Sequence, residues 1–272
     1  MIDPRAIVSP AAEVAPDVEI APFAIVEAGV VIGSGTKIGA HSYVCTGTTI
    51  GRDNVVHMGV VLGNEPQDLA YRGAPTRLTI GDRNVIREGT QIHRGTAPGT
   101  VTVVGDDCFF MTNSHVAHNC RIGNRVILAT GAVVGGHVVV GDAAFLSGNA
   151  VVHQHVRIGR LAMLQGASGV SRDVPPFLMA VALINRLAGV NVVGLARAGL
   201  DRPRIGAVRR AYRALFAQRR NLSLARDRLV AAEEARGGPT DEVRELLDFI
   251  AASKRGVCFG PRRTPDSGGA DE

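Results

Sequence analysis

Val116-Ala117-His118-Asn119-Cys120-Arg121-Ile122-Gly123-Asn124-Arg125-Val126-Ile127-Leu128-Ala129-Thr130-Gly131-Ala132-Val133-Val134-Gly135-Gly136-His137-Val138-Val139-Val140 is the stretch that decides the fold. A large aliphatic residue stands at every sixth position: Val116, Ile122, Leu128, Val134 and Val140. Followed outward in both directions, the series runs from Val8 to Val170, with a large apolar residue at 25 of 28 steps. The three exceptions, Asp68, Ala74 and Pro98, fall in two insertions, 63–79 and 95–102. Glycine follows the apolar residue at ten steps, as in Ile32-Gly33 and Ile158-Gly159. A period of six is neither the 3.6 of a helix nor the 2 of a flat strand. It describes a short strand and a sharp corner, repeated, with small residues easing the bend. Three hexapeptides close one triangular coil of 18 residues, and about nine coils fit between Val8 and Val170. The expected architecture is an all-β left-handed parallel β-helix over residues 1–176.

Asp173-Val174-Pro175-Pro176 ends the repeat. Residues 177–256 are expected to form a connector, to about residue 200, and a C-terminal α-helical domain. Ile205, Val208, Tyr212 and Leu215 stand three or four apart and predict a helix from Pro203 to Arg220. A second covers Leu222 to Ala235 and is broken by Gly237-Gly238-Pro239; Thr240-Asp241-Glu242 opens a third that runs to about Ser253. Residues 257–272, rich in Gly, Pro and charge, read as a disordered tail.

The composition agrees with a prism. Trp is absent, aromatics are 4% and Gly numbers 33 among 272 residues, which suits stacked small aliphatic layers better than a core of large rings. The net charge is +5, and arginines crowd residues 197–228, as at Arg209-Arg210, Arg213 and Arg219-Arg220. No aromatic residues alternate with them as single-strand nucleic-acid binding requires. A solvated helix face, or a contact for an acidic partner, remains. Cys45, Cys108, Cys120 and Cys258 form no CxxC pair and match no zinc spacing, so they read as reduced thiols of a cytosolic protein. Neither a signal peptide nor an apolar run of membrane-spanning length is found.

Five of the eight histidines, His115, His118, His137, His153 and His155, lie in one stretch. His137 and His155 are one coil of 18 apart, and His118 falls one coil below Gly136, beside His137. Stacked strands lie about 5 Å apart, so these rings should form a column. A neutral imidazole there could take a proton from an attacking hydroxyl, or three histidines could hold zinc. A set of polar surface histidines is the bland alternative.

The chain resembles the UDP-N-acetylglucosamine O-acyltransferases that begin lipid A synthesis, over about residues 1–256. The matching segments are Asn64-Glu65-Pro66-Gln67-Asp68-Leu69, Ile80 to Asn84, Ile92-His93-Arg94-Gly95-Thr96, His115-Val116-Ala117-His118-Asn119-Cys120, Ala150 to Gln154, Ser168-Gly169-Val170, Asp173 to Pro176 and Gly189-Val190-Asn191. The resemblance implies that His118 is the general base, that Gly136 offers its backbone N–H to the thioester oxyanion, and that His137 holds the donor's substituent or the transition state. Gln67, Asp68, His115, His153, Gln154, Asn191 and Arg197 would contact the nucleotide sugar. Gly166, with Met163, would measure acyl-chain length. The donor would be a 3-hydroxyacyl chain on acyl carrier protein, the acceptor UDP-N-acetylglucosamine and the assembly a homotrimer, with no cofactor and no metal. The sequence departs from the family at Asn119, where an aspartate usually orients the base, at Ala70, usually lysine, and at Ala198, usually arginine. A hexapeptide N-acyltransferase acting on UDP-3-acyl-glucosamine, a trimeric zinc enzyme of carbonic anhydrase type and a non-catalytic assembly platform are the competing readings.

Overall fold

The computed structural model describes residues 1–183, 185–217 and 222–260. The hexapeptides form a left-handed parallel β-helix with three flat faces. Face one carries nine strands, from Ile7–Val8 to Gly169–Val170; face two carries eight, from Glu13–Val14 to Arg157–Ile158; face three starts at Glu19–Ile20 and has ten. Most strands are two residues long, the second residue facing in and the first facing out. The inward column is the six-residue series itself: Ile32, Ile38, Leu62, Ile86, Phe110, Leu128 and Leu146 are all at most 2% exposed. Strict register holds the column, for example His115 against Val133 and Val116 against Val134. Each coil therefore buries large aliphatic side chains against the coils above and below, the main stabilising term of such a stack.

The corners follow from the same repeat. Between faces one and two the left-handed turn residue is Asn119, then His137, then His155, at φ of 60°, 59° and 63°. Both insertions leave the prism at this corner. The first lies between strands Val61–Asn64 and Arg77–Ile80, and the second between Gln91–His93 and Val101–Val104. Strand pairing thus reaches further into both segments than expected from sequence, because Arg77 to Ile80 pair with Val101 to Val104 across the gap.

Above the repeat the connector is more ordered than its mixed composition suggested. Leu178–Val181 adds to face three beside Met163–Leu164, and Arg186–Val190 returns antiparallel to it. A short helix α1, Val192–Arg197, follows, and α2, Arg202–Tyr212, runs on into a π-helical turn at Arg213–Ala217. α3 spans Leu222–Glu234 and α4 spans Asp241–Ala251, capped by Thr240. Arg219-Arg220, at the end of the expected first helix, and Ile184 lie outside the described residues. Val257 and Phe259, assigned by composition to the tail, bridge to Asp173 and Arg186; the tail from residue 261 on lies outside the described residues. The helices are latched to the prism through Asp173, which is 1% exposed. Its carboxylate accepts from Arg157 Nε at 3.0 Å and Ser253 Oγ at 2.8 Å, and Arg157 also donates to the Phe249 carbonyl in α4.

Candidate active site

The corner between faces one and two gathers most of the polar residues that matter. Asn119 sits there in left-handed conformation, its backbone N–H donating to the buried Thr102 Oγ1 at 2.8 Å. His118, 8% exposed, donates from Nδ1 to Asn119 Oδ1 at 2.9 Å. A carboxamide oxygen can only accept, so Nδ1 carries the proton and Nε2 of the neutral ring carries the lone pair. Asn119 thus orients the ring through a neutral oxygen, without a carboxylate's charge.

His118 lies directly against Gly136. A Cβ built on Gly136 would stand 2.6 Å from His118 Cε1 and 2.7 Å from Nε2. Only a residue without a side chain leaves room for the imidazole. The same closeness sets the Gly136 backbone beside the lone pair of Nε2. The Gly136 N–H makes no hydrogen bond to any described residue, while its carbonyl accepts from His155 N and the His118 carbonyl accepts from His137 N, both at 2.9 Å. The corner therefore sets the imidazole of His118 close against Gly136, whose amide is unpaired among the described residues; proton removal and oxyanion binding call for one group of each kind.

The histidine column forms as the coil spacing implies. His118 and His137 meet edge to face with centroids 5.2 Å apart, and His137 and His155 stack at 4.5 Å. The rings stack rather than converge, and no group of three His, Cys, Asp or Glu among the described residues could hold a metal ion. Burial, then the neighbours His155 and His118, lower the pKa of His137, while the charge of Asp68 works against them. The first insertion thus brings Asp68 toward the column. Gln67 beside it is exposed. His115, on face one, is pushed down to about 4, first by burial and then by His93. His153 and Gln154 are exposed one coil above Gly135-Gly136, with the Arg255 guanidinium 3.4 Å from His153 Nδ1. Burial pushes the Cys120 thiol up to about 12, so this neighbour of His118 is no nucleophile at neutral pH.

Four expected site residues lie elsewhere. Asn191 caps α1, accepting from Gly194 N at 3.0 Å and donating to the Leu161 carbonyl at 2.9 Å, at the corner between faces two and three. Arg197 is exposed at the end of the same helix and makes no ion pair with any described residue. Gly166 belongs to the corner between faces three and one, with Met163 on face three. A groove running straight up from His118 does not meet it, because 48 residues is two coils and two thirds, which ends on another corner. Gly166 is not a forced corner glycine either: the left-handed residue is Ala167, and a Cβ on Gly166 would find only the Gly148 carbonyl at 3.6 Å.

The structure adds residues that spacing did not single out. Thr96 of the second insertion donates to Asn119 Oδ1 at 2.9 Å. His93, 3% exposed, packs on His115 with centroids 5.1 Å apart, and its Nδ1 lies 2.6 Å from the Glu65 carbonyl at the start of the first insertion. The signal available was their place in the segment Ile92 to Thr96.

Comparison with known proteins fits this picture. Residues 29–64 and 102–136 match the family described as bacterial transferase hexapeptide (six repeats), and fold and repeat together define a hexapeptide-repeat transferase. Residues 173–258 match the second domain of the UDP-N-acetylglucosamine O-acyltransferase family. The UDP-N-acetylglucosamine acyltransferase of Bacteroides fragilis is 36% identical, with 94% of this chain and 99% of that one covered and a TM-score of 0.88. The O-acyltransferase of Moraxella catarrhalis is 34% identical over the same shares, again with a TM-score of 0.88. The Francisella novicida acyltransferase is 32% identical over 97% and 95%, at 0.88. The chain belongs to the UDP-N-acetylglucosamine O-acyltransferase family and is an acyltransferase.

Proposed function

We propose that this protein transfers a 3-hydroxyacyl chain from acyl carrier protein to the 3-hydroxyl of UDP-N-acetylglucosamine, the first step of lipid A biosynthesis, as a cytosolic homotrimer. His118 Nε2 takes the proton as the sugar oxygen attacks the thioester carbonyl. The Gly136 N–H receives the charge that builds on the carbonyl oxygen. Collapse of the tetrahedral intermediate forms the ester and expels the carrier's thiolate, which takes the proton back from the imidazolium. The observation that carries this reading is the joint geometry of His118: Nδ1 held by Asn119 at 2.9 Å and Nε2 against the Gly136 backbone.

His137 would hold the donor, and Gln67, Asp68, His115, His153 and Gln154 the sugar nucleotide, all from one copy. Asn191, its amide already spent on α1, would act by fixing the helix that carries Arg197, whose guanidinium suits a diphosphate. Because Asn191, Gly166 and His118 stand at three different corners, a site using all of them needs a second copy. Face three supports such an assembly. Its outward column Val55, Val85, Phe109, Ile127, Phe145, Met163 and Met179 is apolar and half-buried in the single chain, the kind of surface that another subunit covers.

The test is mass spectrometry of the product made from UDP-sugars and a panel of acyl carrier protein thioesters. A single acyl group, released by mild base as an ester is, supports the proposal. A base-stable amide on a UDP-amino sugar would favour the N-acyltransferase reading, and no product with any thioester would leave only an assembly role.

A further inference from the structure

We propose that Thr96 is a positioning residue for the general base, acting on His118 through Asn119; the inference rests on the assignment of His118 made above. Thr96 comes from the second insertion, one coil below His118, and its hydroxyl and the His118 Nδ1–H meet the same atom, Asn119 Oδ1, each at 2.9 Å. The Asn119 backbone is anchored separately through Thr102. Thr96 is the partner, apart from His118 itself, that holds the side-chain amide in its plane.

That hold matters more for an amide than for a carboxylate. An aspartate offers two equivalent oxygens and a charge, so an imidazole N–H finds an acceptor in either orientation. An asparagine offers one oxygen and one NH2 group. With the oxygen facing His118, Nδ1 keeps the proton and Nε2 stays bare. With the NH2 group facing His118, Nδ1 must accept, the proton moves to Nε2 and the base is lost. Without the Thr96 hydroxyl, His118 is the amide's one remaining partner among the described residues, and the amide is free to rotate. The His118 ring, pressed on Gly136, cannot follow it. The second insertion thus serves as a brace for the base, and Asn119 is the reason that the brace is needed.

The test uses the full-length protein with 15N-labelled imidazole rings. In the native protein the neutral His118 ring should show one protonated Nδ1 and one bare Nε2. In Thr96→Val the two should average toward a tautomer mixture, and kcat should fall about tenfold while KM for the nucleotide sugar stays within about twofold. Thr96→Ser should restore both. In an Asn119→Asp background, Thr96→Val should cost less than about threefold, because the carboxylate holds the ring by charge. Native nitrogen resonances together with native kcat in Thr96→Val would overturn the proposal, as would an equal loss when Thr96→Val is combined with Asn119→Asp. The resonances report on the resting protein, so they test the brace even if His118→Ala keeps its turnover and the base assignment itself falls. Circular dichroism and sedimentation of Thr96→Val check that its fold is intact.

Discussion

At the residue scale, space and protonation around one ring, His118, decide what the corner can do. Gly136→Ala would put a methyl group 2.6 Å from His118 Cε1. The ring must then leave its place beside Gly136 while the backbone N–H stays, so turnover should fall by about a hundredfold or more, the usual cost of losing a correctly placed general base. Thermal melting of this variant should stay near native, because the clash falls on one side chain and not on backbone or the apolar core; near-native turnover would mean that the imidazole does not work from this position. His115 gives a pH prediction. Its folded pKa of about 4, set by burial and then by His93, lies below the ordinary 6.5. Between those values the unfolded chain binds the proton more readily. The contribution of neutral His115 is complete above about pH 6.5 and is lost as pH falls toward 4. In melts taken from pH 7 to pH 4, His115→Gln should lose stability less steeply than the native protein. Parallel slopes would show that another group controls the acid limb.

At the element scale the prism was legible in the sequence and the parts that break its period were less so. A strict spacing of 18 put His118 beside Gly136 and His137, and the 5.2 Å approach of the two rings agrees with that arithmetic. The same arithmetic fails across an insertion. Ile92 pairs with Val116, 24 residues on, so the contacts of His93 with His115 and Thr96 with Asn119 could not be counted from the repeat. It fails again above Val170, where the strand pair at 178–190 has no hexapeptide pattern to announce it. The latch between prism and helices was also hidden, since nothing in the spacing couples Asp173 to Arg157 and Ser253. Asp173→Ala leaves a partly buried Arg157 without its carboxylate, and such a loss costs about 3 kcal/mol. Chemical denaturation should show the helices detaching before the β-helix unfolds. An unchanged single transition would mean that the apolar contacts alone secure the helices.

At the scale of the whole molecule, Gly166 and His118, the residues proposed for acyl-chain selection and for catalysis, stand at different corners of one chain. Gly166 is exposed and has room for a side chain in its own copy, so packing within that copy does not require a glycine there. If a neighbouring subunit closes an acyl groove over this corner, as proposed, Gly166→Met should shift preference toward chains several carbons shorter with the assembly state unchanged. Unchanged selectivity across a chain-length panel would place the ruler elsewhere. Both that prediction and the mechanism depend on His118, and the most direct measurement is single-turnover acyl transfer by His118→Ala against the native protein, with assembly checked by sedimentation. The variant should lose about a hundred- to ten-thousand-fold in an intact assembly, the usual cost of removing a general base. Turnover within a few-fold of native in that variant would contradict the role assigned to His118.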